Sequence, residues 1–393
     1  MMSSLEVTAS RRVRVTGRTA GWLPSLLDAL PAAAVAAAFL ALWVGAALLL
    51  PHGAQNPATP IYPGGTSLQP LMRFDGYFYA TITGHGYVPV AGRYQLYAFF
   101  PLLPGLAAAL HGVIPLLSVP ASGLAVNGAA VIGAAMLIDR TLASWSRGRR
   151  LVAVAVVLSL PSAFFYATFY SEPLLLLATA LTVWALADRR RTALVPVGVL
   201  LATLDRPPGA LLLVLVVVVL HRRGSGWRSM VPSVIAAGLA VGLVMVVDRL
   251  AAGDPFAFVH AQAGWTSVRT LGLGDGVRWV LTQSQPGAIW QSVITFGYWD
   301  LYLAAAALVV FRRRLGAAAP YAAAVMAACF LAGGVGTQSR YLVTLLPFWL
   351  GLLELLGRRG ARTWMLTTGV AIAGGIAVNL WMLDRFVRGF WAG

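Results

Sequence analysis

The sequence has no lysine and a single cysteine, and only 11% of its 393 residues are charged. A soluble domain carries about 25% charged residues, so this scarcity excludes an ordinary soluble enzyme. The lone Cys329 rules out an intrachain disulfide, and no Cys/His spacing suits a metal. Nucleotide-binding loops of the GxGxxG or Walker kind are absent. Acidic residues are also few, 13 against 29 arginines, leaving a net charge of +16. Such an excess could serve a phosphate polymer. The arginines fall instead in short groups between apolar runs, with no amphipathic stripe and no interleaved aromatics. That pattern favours topogenic charge beside anionic lipid over nucleic-acid binding.

Apolar residues fill what remains: 59% of the chain is hydrophobic. A helix rises about 1.5 Å per residue and needs about 20 apolar residues to cross a bilayer. Runs at 30–50, 122–138, 151–169, 173–187, 230–249, 290–311, 317–336, 341–356 and 363–383 meet or approach that length. Two shorter runs, 193–204 and 208–220, are broken by Asp205-Arg206-Pro207-Pro208. The run at 30–50 exceeds the h-region of a cleaved signal and reads as a retained anchor.

Six arginine clusters, beginning at Arg11, Arg140, Arg189, Arg222, Arg312 and Arg358, hold 20 of the 29 arginines. Placing all six in the cytoplasm requires an even number of crossings between neighbours. The stretch 193–220 then becomes a hairpin of two short helices, and 99–118 a re-entrant or interfacial element. The expected fold class is all-α: a polytopic membrane protein of about eleven transmembrane helices. Residues 1–29 form a cytoplasmic tail, 30–384 one membrane domain, and 385–393 an extracytoplasmic tail. Outer loops at about 51–121 and 250–289 are long enough to be functional and aromatic enough for helices lying at the interface.

On this topology nine arginines map to the outer side, among them Arg73, Arg206 and Arg340. They run against the positive-inside tendency, and anion binding by a guanidinium fork is the simplest reason to keep them. Asp75, His85, Glu172, His260 and Gln262 lie on the same face, with Asp300 in the outer half of a hydrophobic segment. Ionisable groups at membrane depth are costly and are functional candidates by default. Bland readings stay open beside these. Asp75 could cap a helix or pair with Arg73, Glu172 could complement a helix dipole, and Asp254 could start a turn. Tyr77, Phe78 and Tyr79 read as interfacial packing.

Arg73-Phe74-Asp75-Gly76-Tyr77-Phe78-Tyr79, His85-Gly86-Tyr87 and Phe99-Phe100-Pro101-Leu102-Leu103-Pro104 resemble the first-loop signature of the PIG-V-like mannosyltransferases, enzymes of the GT-C fold. Five further stretches follow in the family's order. They are Pro161-Ser162-Ala163-Phe164-Phe165, Tyr170-Ser171-Glu172-Pro173-Leu174, Arg206-Pro207-Pro208-Gly209, Gly253-Asp254-Pro255-Phe256 with Gln262 and Trp265, and Ser339-Arg340-Tyr341-Leu342. Phe74 stands where that pattern has Trp, Leu103 where it has Tyr, and Asp205 where it has Thr, which leaves the exact sugar and acceptor open.

The resemblance implies a GT-C-like glycosyltransferase that moves a sugar, by family bias mannose, from a polyprenyl-phosphate donor. The acceptor would be a hydroxyl on a lipid, glycan or protein, reached on the extracytoplasmic face with inversion. Asp75 and Glu172 become the catalytic carboxylates, Asp75 as base. Arg206, Arg340 and Arg73 become ligands of the donor phosphate. His85, Tyr170, His260, Gln262, Trp265 and Asp300 become substrate-binding residues. No cofactor is expected, although a divalent metal bridging Asp75 and Glu172 to a phosphate stays open. The competing functions are a transporter or flippase of lipid-linked sugars, another GT-C transfer (arabinosyl or protein O-mannosyl), and a non-catalytic partner subunit.

Overall fold

A computed structural model describes residues 27–50, 62–63, 67–88, 95–264, 304–331 and 338–390, excepting the side chains of 95, 262–264, 329–331 and 338–339. Every regular element among them is helical. In chain order the α-helices are α1 (Leu30–Leu49), α2 (Asp75–His85), α3 (Leu102–Val113), α4 (Val119–Thr141), α5 (Arg147–Ser159) and α6 (Glu172–Ala187). They continue as α7 (Val195–Asp205), α8 (Leu212–Arg222), α9 (Val231–Ala252), α10 (Ala257–Gly264), α11 (Ala318–Leu331), α12 (Gln338–Val343), α13 (Leu346–Gly357) and α14 (Ala361–Val387).

Proline sets many of the starts. Helices α1, α4, α6, α7, α9 and α13 each carry one in the first turn, where the missing N–H has no partner to lose and φ is already helical. Among the described residues, four segments are long and apolar enough to cross a membrane: Leu30–Leu49, Val119–Thr141, Trp227–Ala252 and Ala361–Val387. Shorter apolar helices accompany them, α3, α6 and α13 among them. Helix α9 turns Ile235, Leu239 and Leu243 outward, a contiguous apolar face suited to lipid rather than water. Helix α6 packs between α4 and α7, and α9 backs α7.

The structure departs from the expected spans in instructive places. The run 151–169 is not one helix. Helix α5 ends at Ser159, Ser162 takes a left-handed φ of 69°, and a 3-10 turn follows over Ala163–Ala167. Pro161 cannot continue the ladder, and buried amide side chains take over the freed backbone groups. Asn379 of α14 donates to Ser159 O at 3.2 Å and Leu160 O at 2.8 Å, and accepts from Phe164 N at 2.9 Å. Asn127 of α4 donates to Thr168 O and Tyr170 O.

The expected hairpin over 193–220 is α7 and α8 joined through a 3-10 turn at Pro207–Leu211. A Cβ at Gly209 would collide with the Ala202 carbonyl, so the tip closes only with glycine there. The run 341–356 divides into α12 and α13, and 99–118 contains α3. Of the run 290–311 only 304–311 lies within the described residues, and it is helical.

Candidate active site

Four chain segments bring five ionisable side chains together. Asp75 is the first residue of α2 and Glu172 the first of α6, positions where a carboxylate meets the positive end of the helix dipole. Asp205 and Arg206 come from the α7–α8 tip, and Arg340 from α12. The Arg340 guanidinium bridges two carboxylates. Its Nη1 donates to Asp75 Oδ2 at 2.7 Å, and its Nε and Nη2 each reach Glu172 Oε1 at 2.8 Å. Arg206 Nη1 lies 3.1 Å from the same Glu172 oxygen, and its Nε donates to Ser171 Oγ at 2.9 Å. Asp205 Oδ2 sits 3.9 Å from Arg206 Nε.

Aromatic faces wall the cations. Arg340 lies 4.6 Å from the Tyr170 ring centroid and 5.0 Å from that of Phe165, and Arg206 lies 5.3 Å from that of Tyr341. Such faces attract a desolvated guanidinium and hold its plane.

Burial divides the three carboxylates. The side chains of Glu172 and Asp205 are 0% exposed, whereas Asp75 is 21% exposed. Only Asp75 can meet an incoming molecule without rearrangement. Glu172, bonded on one oxygen by both arginines, fixes where the guanidiniums stand.

Of the residues singled out in the sequence, Asp75, Glu172, Arg206 and Arg340 meet in this cluster, and Tyr170 lies against it. Arg73 points elsewhere, its Nη2 donating to the Val387 carbonyl at the end of α14 at 3.2 Å. Burial holds its pKa below the usual guanidinium value. His85 lies exposed at the far end of α2, ten residues and about 15 Å from Asp75 along the helix. His260, in α10, contacts Asp254 Oδ2 at 2.6 Å, and Asp254 Oδ1 accepts from Phe256 N. These two contacts, the backbone N–H first, keep the Asp254 carboxyl below its ordinary range. The side chain of Gln262, and all of Trp265 and Asp300, lie outside the described residues. Among those described, no three His, Cys, Asp or Glu side chains gather as a metal-binding set.

Tyr79 reads as packing in the sequence, yet it is 3% exposed and sits against the cluster. Burial lifts its phenol above the usual range. Its spacing was the signal: residue 79 is four after Asp75, on the same helical face. Ser171 and Asp205 stand in or beside the quoted stretches but are not singled out there, because each is an immediate neighbour of a residue that attracts notice.

No family model and no curated protein matches the chain. Its backbone is similar to the crystal structure of the Archaeoglobus fulgidus oligosaccharyltransferase, a complex with zinc and sulfate, at a TM-score of 0.47 and 13% identity. The match covers 91% of this chain and 53% of that one, so the chain spans about half the length of the protein it resembles. A likeness this distant carries no argument about activity. What the site can do rests on the cluster itself: a half-open carboxylate gripped by a guanidinium that a second, buried carboxylate holds in place.

Proposed function

We propose that the chain is an integral membrane glycosyltransferase of the GT-C type. It would move a sugar, mannose on the motif resemblance, from a polyprenyl-phosphate donor to an acceptor hydroxyl. The observation that carries this reading is the unequal exposure within the cluster: Asp75 opens outward while Glu172 and Asp205 are sealed. In the proposed step Asp75 takes the acceptor's hydroxyl proton as that oxygen bonds to the anomeric carbon. The bond from that carbon to the phosphate oxygen breaks, and its electron pair departs on the polyprenyl phosphate, inverting the centre. Arg340 and Arg206 stabilise the growing phosphate charge. Glu172 is a positioning residue here, not a second base.

The finer topology belongs to the same proposal. It comprises about eleven crossings, the N-terminal tail 1–29 in the cytoplasm, and the membrane domain over 30–384. The outer loops and the 385–393 tail lie with the site on the extracytoplasmic side. His85, His260, Gln262, Trp265 and Asp300 remain candidates for holding substrate; the motif resemblance alone would add Tyr170 to them and Arg73 to the phosphate ligands. Membrane lipid surrounds the bundle. One observation favours a second reading, a transporter or flippase of lipid-linked sugars: the α7–α8 hairpin is interrupted beside the site, and interrupted helices bind substrate in many transporters.

Purified protein incubated with polyprenyl-phosphate-mannose and a membrane lipid extract should yield a mannosylated product detectable by mass spectrometry. Asp75→Asn should lower that yield about 10²–10⁴-fold. Donor movement across sealed vesicles with no cleavage and no product would reject the transferase and favour the transporter.

A further inference from the structure

Asp75 follows a residue in an uncommon backbone state. Phe74 has φ 53° and ψ −117°, a conformation that a bulky side chain adopts only when its surroundings impose it. Three contacts supply that force. The Tyr170 hydroxyl donates to the Arg73 carbonyl at 3.0 Å and accepts from the Asp75 N–H at 3.2 Å, so one oxygen grips the backbone on both sides of Phe74. Arg73 reaches the other way and bonds the Val387 carbonyl, one of the last-turn acceptors that a helix leaves without an internal partner. From the same turn of α14, the Phe386 ring packs on Phe74 at 5.8 Å and on Tyr170 at 5.8 Å.

We infer that Tyr170, Arg73 and the last turn of α14 form a clamp that aims Asp75, so that all three act as positioning residues for the proposed base. On the motif resemblance Tyr170 would touch substrate and Arg73 a phosphate. Their contacts assign them instead to holding the strained turn. The inference rests on Asp75 being the base, and the test separates the two claims.

Removing the hydroxyl alone, Tyr170→Phe keeps the ring under Arg340, takes away both hydrogen bonds of that oxygen and should lower kcat about tenfold. KM for the donor should stay within about twofold, because ground-state binding is untouched. Arg73→Met should show the same split, whereas loss of a phosphate ligand would raise KM. A second readout needs no activity. In Asp75→Cys combined with Cys329→Ala, a charged thiol reagent should label position 75 faster once Tyr170→Phe or Arg73→Met is added. This rate carries the test should either variant melt early in the activity assay. Wild-type kcat in both variants, with Asp75→Asn inactive, would overturn the clamp and leave the base in place. Labelling unchanged in both would overturn the clamp too. An Asp75→Asn protein as active as the wild type would overturn the base, while labelling would still decide the clamp.

Discussion

The two ends of the helical bundle use one kind of ion pair in opposite ways. Asp139 of α4 lies twelve residues, about 18 Å, beyond Asn127, the residue that touches the Tyr170 turn beside the site. At that far end the pairs are local or half-wet. Asp188 meets Arg191 three residues on, Glu354 meets Arg358 four residues on, and Asp139 meets Arg150 at 3.2 Å across a short turn. At the site end, Asp75, Glu172, Arg206 and Arg340 come from segments as far apart as 265 residues and are largely sealed from water. Exposed pairs contribute little and cost little. A buried set costs several kcal/mol of desolvation and is weak evidence for stability. On the proposed reading, the five charges gathered in this largely buried cluster are held there for chemistry rather than for stability.

Mutations can break or sharpen that contrast. The largest effect is expected at Glu172→Gln, which strands two buried guanidiniums. It should destabilise the protein by about 3–5 kcal/mol, read as a lower unfolding midpoint in detergent, and should also depress donor binding. A midpoint unchanged by Glu172→Gln would mean that the site-end cluster is as loosely held as the surface pairs. Asp139→Asn should have an intermediate effect of about 1–3 kcal/mol, because Asp139 is buried while Arg150 keeps some access to water. Transfer should be unaffected, since the pair lies at the other end. Smallest is Arg358→Gln, whose exposed partner contact should be worth about 0.5 kcal/mol or less. Equal losses from Arg358→Gln and Glu172→Gln would erase the distinction between the ends.

Much of the helix layout was legible because apolar runs of bilayer length leave few alternatives, and α1, α4, α9 and α14 follow from length alone. The break after Ser159 was not, because hydropathy reads 151–169 as continuous. Pro161 marks the fault, but the groups that make it tolerable, Asn127 and Asn379, lie 41 and 219 residues in sequence from carbonyls they hold, where no local rule connects them. The gathering of Asp75, Glu172, Arg206 and Arg340 could be anticipated from charges that an apolar chain has reason to minimise. Who holds whom could not. The Arg340 bridge, the sealing of Glu172 and the turning of Arg73 toward α14 are decided by tertiary packing, which residue spacing does not encode.

The central claim, that Asp75 acts on the acceptor while the guanidiniums hold the donor, is tested most directly by measuring binding and transfer side by side in Asp75→Asn. The account predicts donor affinity equal to or tighter than wild type, because Arg340 loses a competing carboxylate, together with loss of sugar transfer. Transfer at the wild-type rate, or donor affinity lost together with transfer, would contradict it.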